Sequence, residues 1–185
     1  MTASVLAKRM LEGLSDTAKT ELDDVLVELS QAGHTDLVSI FTALLNGQDL
    51  STALNFPEGT VTLLYSQAHA RFNAGHISDA LGLFQALAVL APTVKDHWLG
   101  LGICLRLSNS LAGARLALSA AADLAPDCPA VTYHLAELAF AEGRFSESVV
   151  LLQRFASFEE SPLKHTLSTE AQRLAAALSH RAGAA

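Results

Sequence analysis

Aromatic residues, cysteines and basic residues are all scarce in this sequence. Aromatic side chains make up 6% of the 185 residues and charged ones 17%, whereas half of the residues are apolar. The apolar half is sufficient to build a core, which excludes a chain that is disordered throughout. Abundant alanine and leucine, together with few aromatic and β-branched residues, favour closely packed helices over a sheet. We therefore expect an all-α protein.

The charge balance argues against nucleic acid as a partner. Twelve Lys and Arg stand against 19 Asp and Glu, the formal net charge is -7, and the basic residues form no block. No apolar run approaches the roughly 18 residues of a membrane span. The first residues, MTASVLAKRMLEGLSDTAK, lack the apolar centre of a signal peptide. The sequence thus predicts a cytoplasmic protein that does not insert into a membrane.

Residues with catalytic or metal-binding chemistry form no recognisable set. Cys104 and Cys128 are too few for a disulfide framework, and we expect buried thiols in a reducing compartment. The seven histidines show no tight ligand spacing with Cys, Asp or Glu, and each is expected to be solvated or to line a groove. No phosphate-binding glycine loop, nucleophile elbow or paired carboxylate motif is present. The sequence therefore predicts neither an enzyme nor a bound cofactor or metal.

A pattern that starts at the single tryptophan repeats every 34 residues. Its positions in the best copy are Trp98, Leu101, Gly102, Leu105, Ala114, Leu118 and Pro126. This arrangement is the signature of the tetratricopeptide repeat, a pair of antiparallel helices. Steps of 34 residues in both directions give three copies without an insertion, at 61–94, 95–128 and 129–162.

Small residues recur where the two helices of each pair should touch. They pair as 68 with 80, 102 with 114, and 136 with 148. A larger side chain at Gly102 would hold the helices apart, and such overpacking costs roughly 1–3 kcal/mol. Gly102 is therefore interpreted as a contact glycine, but the repeat pattern offers no physical reason for Gly100.

The breakers of the pattern predict where the helices end. Gly75, Asn109 and Gly143 occupy the turn position and can adopt the left-handed conformation that ends a helix. Pro92 and Pro126 stop the second helix of a pair. The predicted helices lie near 60–74, 77–90, 94–108, 111–124, 129–142, 145–158 and 163–181, with two more within 16–33 and 35–47. We expect an N-terminal helical and dimerisation region over 1–58, three repeats over 59–162, and a C-terminal capping helix with a short tail over 163–185.

The first helices of the three pairs should line a concave surface of the solenoid. Repeat positions 5, 9 and 12 place nine residues there: Tyr65, His69, Phe72, Leu99, Ile103, Arg106, Tyr133, Glu137 and Phe140. An exposed groove this apolar is typical of a binding site and suits an extended peptide segment. The alternative is that the C-terminal helix or a second copy of the chain fills it.

Two further features concern partners. Some tetratricopeptide domains grip a C-terminal carboxylate with Lys, Asn and Arg, but the corresponding positions here are Tyr65, His69, Gly100, Ala130 and His134. No cationic clamp is therefore expected. In the N-terminal region, apolar residues at helical spacing predict a face for self-association. They are Leu22, Val25, Leu26 and Leu29.

Three segments carry a resemblance to a known family. They are LYSQAHARFNAGHISDALGLFQALAVLAP (64–92), HWLGLGIC (97–104) and YHLAELAFAEGRFSES (133–148). These segments resemble the class II chaperones of type III secretion systems, and the resemblance covers residues 47–180. The family shares Gly100, and its groove aromatics correspond to Tyr65 and Phe72. Where the family has a further aromatic, this sequence has His69.

The resemblance implies a function. Such chaperones bind the hydrophobic, membrane-inserting translocator proteins in the bacterial cytoplasm and keep them soluble and apart before export. An extended segment of the translocator lies in the concave groove, and the free chaperone forms a homodimer through its N-terminal helices. A non-catalytic tetratricopeptide scaffold or adaptor for another protein partner is the alternative.

Overall fold

A computed structural model describes residues 16–46 and 48–182, and helices dominate this part of the chain. The helices are α1 (Asp16–Gln31), α2 (Thr35–Leu45), α3 (Leu50–Ala53), α4 (Thr60–Asn73), α5 (Ile77–Leu90), α6 (Lys95–Leu107), α7 (Leu111–Leu124), α8 (Pro129–Ala141), α9 (Phe145–Ser157) and α10 (Pro162–Ala182). The described ranges contain no strand, which confirms the predicted all-α fold. Both predicted terminal regions continue beyond these ranges, to residues 1 and 185.

The three predicted repeats correspond to the helix pairs α4–α5, α6–α7 and α8–α9. Each pair turns at a residue with positive φ: Gly75 at 80°, Asn109 at 60° and Gly143 at 75°. Because side chains other than Asn and Gly rarely adopt this conformation, the turn chemistry predicted the helix ends correctly. No described helix is both long enough and apolar enough to span a bilayer.

Gly102 lies at a close contact inside its helix pair, as predicted, but its nearest neighbour on the second helix is Leu118, four residues after the predicted partner Ala114. A Cβ atom at this position would lie 2.6 Å from Cγ of Leu118 on α7, which is far inside normal contact distance. The third pair also packs closely: the buried Ser148 reaches across and donates a hydrogen bond of 2.8 Å to the carbonyl oxygen of Ala136. The small residues thus allow the two helices of a pair to approach each other.

Gly100, which the repeat pattern left unexplained, lies against the preceding repeat. A Cβ atom there would lie 2.3 Å from Cε1 of Phe84, whose ring is 2% exposed on α5. The two glycines therefore face different neighbours: Gly100 accepts the ring of Phe84, and Gly102 accepts Leu118. Helix α6 can pack closely on both α5 and α7 for this reason.

The two cysteines are free and buried, as predicted. Cys104 lies in the core cluster with Ala68, Phe84 and Leu101. Burial raises the pKa of the Cys104 thiol to about 11, because the apolar surroundings disfavour the thiolate.

Helices α1 and α2 form an N-terminal arm, which the short helix α3 connects to the first repeat. Helix α1 packs on α2, α2 on α3, and α3 on α5. The hydroxyl of Thr93 donates a hydrogen bond of 3.2 Å to Asp49, which ties the arm to the loop after α5. Large apolar side chains on this arm remain exposed, among them Val25, Leu37 and Phe41.

Helix α10 closes the other end of the stack and packs on α8 and α9. Its first turn is held by the buried Lys164, whose Nζ donates a hydrogen bond of 3.1 Å to the carbonyl oxygen of Ala156. The same Nζ lies 2.8 Å from Glu160. This lysine therefore joins the end of α9 to the start of α10.

Candidate functional site

The nine residues predicted for the groove lie on the first helices of the pairs, three each on α4, α6 and α8. The structure divides most of them among three environments. An aromatic group surrounds Tyr65, an ion pair joins Arg106 to Glu137, and the C-terminal helix covers part of the third repeat. Leu99 and Ile103, both half-buried, lie on α6 between the first and third repeats.

Tyr65 is the centre of the aromatic group in the first repeat. Its hydroxyl lies 3.0 Å from Nε2 of His69, and its ring contacts those of Phe84 and His97, with centroids 6.2 and 5.7 Å away. Burial raises the pKa of Tyr65, with a further contribution from the negative charge of Asp96. Tyr65 is half-buried and His69 is exposed, so this group presents both a ring and a polar edge to a partner.

We expected each histidine to be solvated or to line the groove, but His97 is buried. Its side chain is only 3% exposed, and its Nδ1 lies 3.0 Å from the carbonyl oxygen of Ala91. Its buried ring therefore supports the ring of Tyr65, against which it packs. Position in the repeat does not distinguish this histidine from a solvated one, because its partners are Tyr65 on α4 and the carbonyl of Ala91 in the loop after α5.

An ion pair bridges the second and third repeats. Arg106 Nη2 donates to Glu137 Oε2 at 2.9 Å, and His134 Nδ1 lies 2.7 Å from the same oxygen. Burial by itself would raise the pKa of Glu137, but the hydrogen bond from His134 and the charge of Arg106 lower it by more. The net pKa lies below the usual range, so Glu137 is a carboxylate at neutral pH. The groove is therefore polar where it passes from α6 to α8.

Tyr133 is buried, whereas the sequence predicted that it lines an open groove. It is 4% exposed and packs with Phe155 of α9 and Ala171 of α10. This burial raises its pKa, and the nearby charge of Glu137 adds to the effect. Because α10 covers it, Tyr133 is not an accessible anchor in this conformation.

Phe140 is also engaged from the C-terminal side. Its ring centroid lies 5.6 Å from that of Phe145, and the guanidinium carbon of Arg181 on α10 lies 5.4 Å from the Phe140 centroid. The open part of the surface is therefore formed by the first two repeats. For the predicted alternative, in which the C-terminal helix fills the groove, the structure shows such contacts at Tyr133 and Phe140 of the third repeat.

The predicted self-association face lies on α1. Val25 is 50% exposed, whereas Leu26 and Leu29 are half-buried. The side chain of Leu22 lies outside what the structure describes. Across residues 16–46 and 48–182, no three His, Cys, Asp or Glu side chains are grouped as a metal ion would require.

Comparison with known proteins defines the class of this protein. The family model of the tetratricopeptide repeat matches residues 65–127 and 111–162, which together span more than half of the chain. The chain therefore belongs to the tetratricopeptide-repeat family. No curated protein sequence matches it.

Several solved structures share its fold. The Yersinia enterocolitica type III secretion chaperone SycD, in complex with a peptide of the translocator YopD, is 27% identical with a TM-score of 0.61; the match covers 68% of this chain and 96% of that one. PcrH in complex with the chaperone binding region of PopD is 25% identical with a TM-score of 0.60, over 68% of this chain and 96% of that one. A type III secretion complex from Aeromonas hydrophila shares the fold at 22% identity and a TM-score of 0.66, over 78% and 97%.

Proposed function

We propose that this protein is a type III secretion chaperone that binds a hydrophobic translocator protein. One observation carries the proposal: the fold matches two such chaperones, each with a translocator segment bound, over 96% of their length. The chain aligns with nearly the full length of these chaperones rather than with a single repeat. The repeats act as a binding surface, and we propose no catalytic activity.

The translocator segment binds in an extended conformation across the first two repeats. Tyr65 and Phe72 lie on α4, seven residues and about two turns apart, so they can accept two side chains of one segment. Leu99 and Ile103 on α6 continue the apolar surface. Aromatic anchors in such pockets commonly contribute about 2 kcal/mol or more to binding.

The Arg106–Glu137 pair marks where this apolar surface ends. An ion pair that is about one-fifth exposed contributes less to binding than a desolvated aromatic anchor does. Tyr133 lies beneath α10, and we propose no direct contact between it and the translocator. Phe140 reaches a partner only beside Arg181, which lies over its ring.

The free chaperone forms a homodimer in the bacterial cytoplasm through its N-terminal helices. This part of the proposal is supported by the exposed apolar side chains of α1 and α2, of which Val25 and Phe41 are about half exposed. Burial of such side chains is the main source of stability for a protein interface. Solved structures of SycD include an alternative dimer, which supports self-association as a property of such chaperones.

The second candidate function is that of an adaptor whose groove is closed by its own C-terminal helix. The burial of Tyr133 under α10 favours it for the third repeat. The two functions differ in what they require of Tyr65 and Phe72, because only the chaperone uses them to hold a partner.

The decisive experiment is co-expression with a translocator protein, followed by affinity capture of the chaperone. We expect the Tyr65→Ala, Phe72→Ala double variant to lose the translocator, which then becomes insoluble. Leu63→Ala is the matched control: this leucine lies on the same helix but is 62% exposed and outside the proposed groove. It should retain the translocator fully.

The stability of the double variant must be measured together with its capture of the translocator. Tyr65 and Phe72 also pack against the core cluster of Ala68 and Phe84, so the double variant will melt at a lower temperature than the wild type. Capture is therefore carried out well below its melting temperature, with folding checked by circular dichroism. Full retention of the translocator by the folded double variant would refute the groove proposal and favour the adaptor.

A further inference from the structure

A cleft of about 910 Å³ lies between α9 and α10, outside the groove described above. The two helices are joined by the short loop 158–161, and they meet again where Arg181 lies over the ring of Phe145, 5.0 Å from its centroid. Between these two contacts they leave an open space. Its apolar lining consists of Phe145, Val149, Leu152, Ala156, Ala175 and Leu178.

The cleft exists because packing between successive repeats is incomplete at this end. Phe84 and Leu118 occupy equivalent positions in the first two repeats, and they are 2% and 0% exposed because the following helix covers them. Leu152 is the equivalent residue on α9, but it is only half-buried, and Val149 beside it is 39% exposed. Apolar surface that is buried in the earlier repeats thus stays open to water here.

The charge of the cleft points to an acidic occupant. Arg181 is the one charged residue among those that line it. The guanidinium lies over Phe140 and Phe145, and within the described ranges no carboxylate pairs with it. A matching partner therefore carries apolar side chains and a carboxylate.

The N-terminal arm of this chain has both properties. On α2, Leu37 is 44% exposed and Phe41, one turn later, is 46% exposed. Residues 16–46 contain six Asp and Glu against a single Lys. Exposed acidic side chains at Glu21, Asp24 and Glu28 run along α1.

We propose that the α1–α2 arm of a second copy docks into the cleft between α9 and α10. Leu37 and Phe41 enter the cleft, and a carboxylate of the arm pairs with Arg181. This inference rests on the proposed self-association and names the surface on which the arm docks. Because arm and cleft lie at opposite ends of one chain, two copies related by a twofold axis exchange arms and form a closed dimer.

The test compares two adjacent valines in sedimentation experiments on the full chain. Val149 lines the cleft, whereas Val150 is 62% exposed and lies outside it, so a glutamate at either position can be tolerated by the folded monomer. Val149→Glu should raise the dissociation constant of the dimer at least tenfold, because it places a carboxylate in the apolar cleft. Val150→Glu should leave the constant unchanged. Equal constants for the two variants would overturn the proposal.

Cross-linking identifies the docking surface directly. The photoreactive residue p-benzoylphenylalanine in place of Phe41, in a mixture of isotopically light and heavy chains, should give light–heavy cross-links to residues 145–156 or 175–181. Cross-links only to the arm of the other copy would overturn the proposed surface while leaving self-association intact. A chain that remains monomeric at all concentrations would overturn both. Capture of the translocator by Val149→Glu is measured in parallel, so that failure of the docking proposal can be distinguished from failure of the proposed chaperone function.

Discussion

Replacing Gly100 with alanine adds one methyl group where the ring of Phe84 already lies. The added Cβ would lie 2.3, 2.5 and 2.6 Å from three carbon atoms of that ring, whereas carbon atoms in contact are normally about 3.5–4.0 Å apart. The ring is rigid and 2% exposed, so it cannot move into solvent. The overlap costs up to about 3 kcal/mol, and the better helix propensity of alanine offsets about 1 kcal/mol. We expect a net loss of about 2 kcal/mol in the free energy of unfolding.

The matched control is Gly82→Ala on α5. A Cβ at Gly82 would meet no heavy atom within 4 Å, so only the helix propensity acts, and the variant should gain up to about 1 kcal/mol. For a chain of this size, 1 kcal/mol shifts the melting temperature by roughly 2–4 °C. Gly100→Ala should therefore melt about 4–8 °C below the wild type, and Gly82→Ala about 2–4 °C above it.

A double-mutant cycle tests the cause. Phe84→Leu removes the ring that meets the new methyl group, so the combination with Gly100→Ala should be less destabilising than the sum of the two single changes, by about 1 kcal/mol or more. Thermal unfolding followed by circular dichroism provides the four values. If Gly100→Ala were as stable as Gly82→Ala, the proposed contact between α6 and α5 would be refuted.

Two further predictions concern charged groups. The pKa of Glu137 is lowered by its partners His134 and Arg106, so its contribution to stability is present above its unfolded pKa and is lost as the pH falls through the folded value. The melting temperature of Glu137→Gln should therefore lie below that of the wild type at pH 7. A difference between the two melting temperatures that did not narrow towards pH 3 would contradict this. Lys164→Met removes the hydrogen bond to Ala156 and should destabilise the protein by roughly 1.5–3 kcal/mol, and an unchanged urea midpoint would show that α10 is held by its apolar contacts alone.

Sequence determined the repeat architecture because its determinants are local. A 34-residue period of small and apolar residues specifies which faces of neighbouring helices can meet. The backbone conformations available to Gly75, Asn109 and Gly143 specify where the first helix of each pair ends. Neither property depends on the rest of the chain, so both could be read before the fold was known.

Tertiary structure decided which of the predicted groove residues are accessible. Tyr65 and Tyr133 occupy equivalent repeat positions, yet Tyr65 stays half-open while Tyr133 is 4% exposed. The difference comes from α10, which lies outside the 34-residue period and packs against Tyr133 in the last repeat. The reason for Gly100 is of the same kind, since the ring of Phe84 reaches it from another repeat. Burial and contact at these positions depend on helices distant in sequence, and the repeat pattern contains no information about where those helices pack.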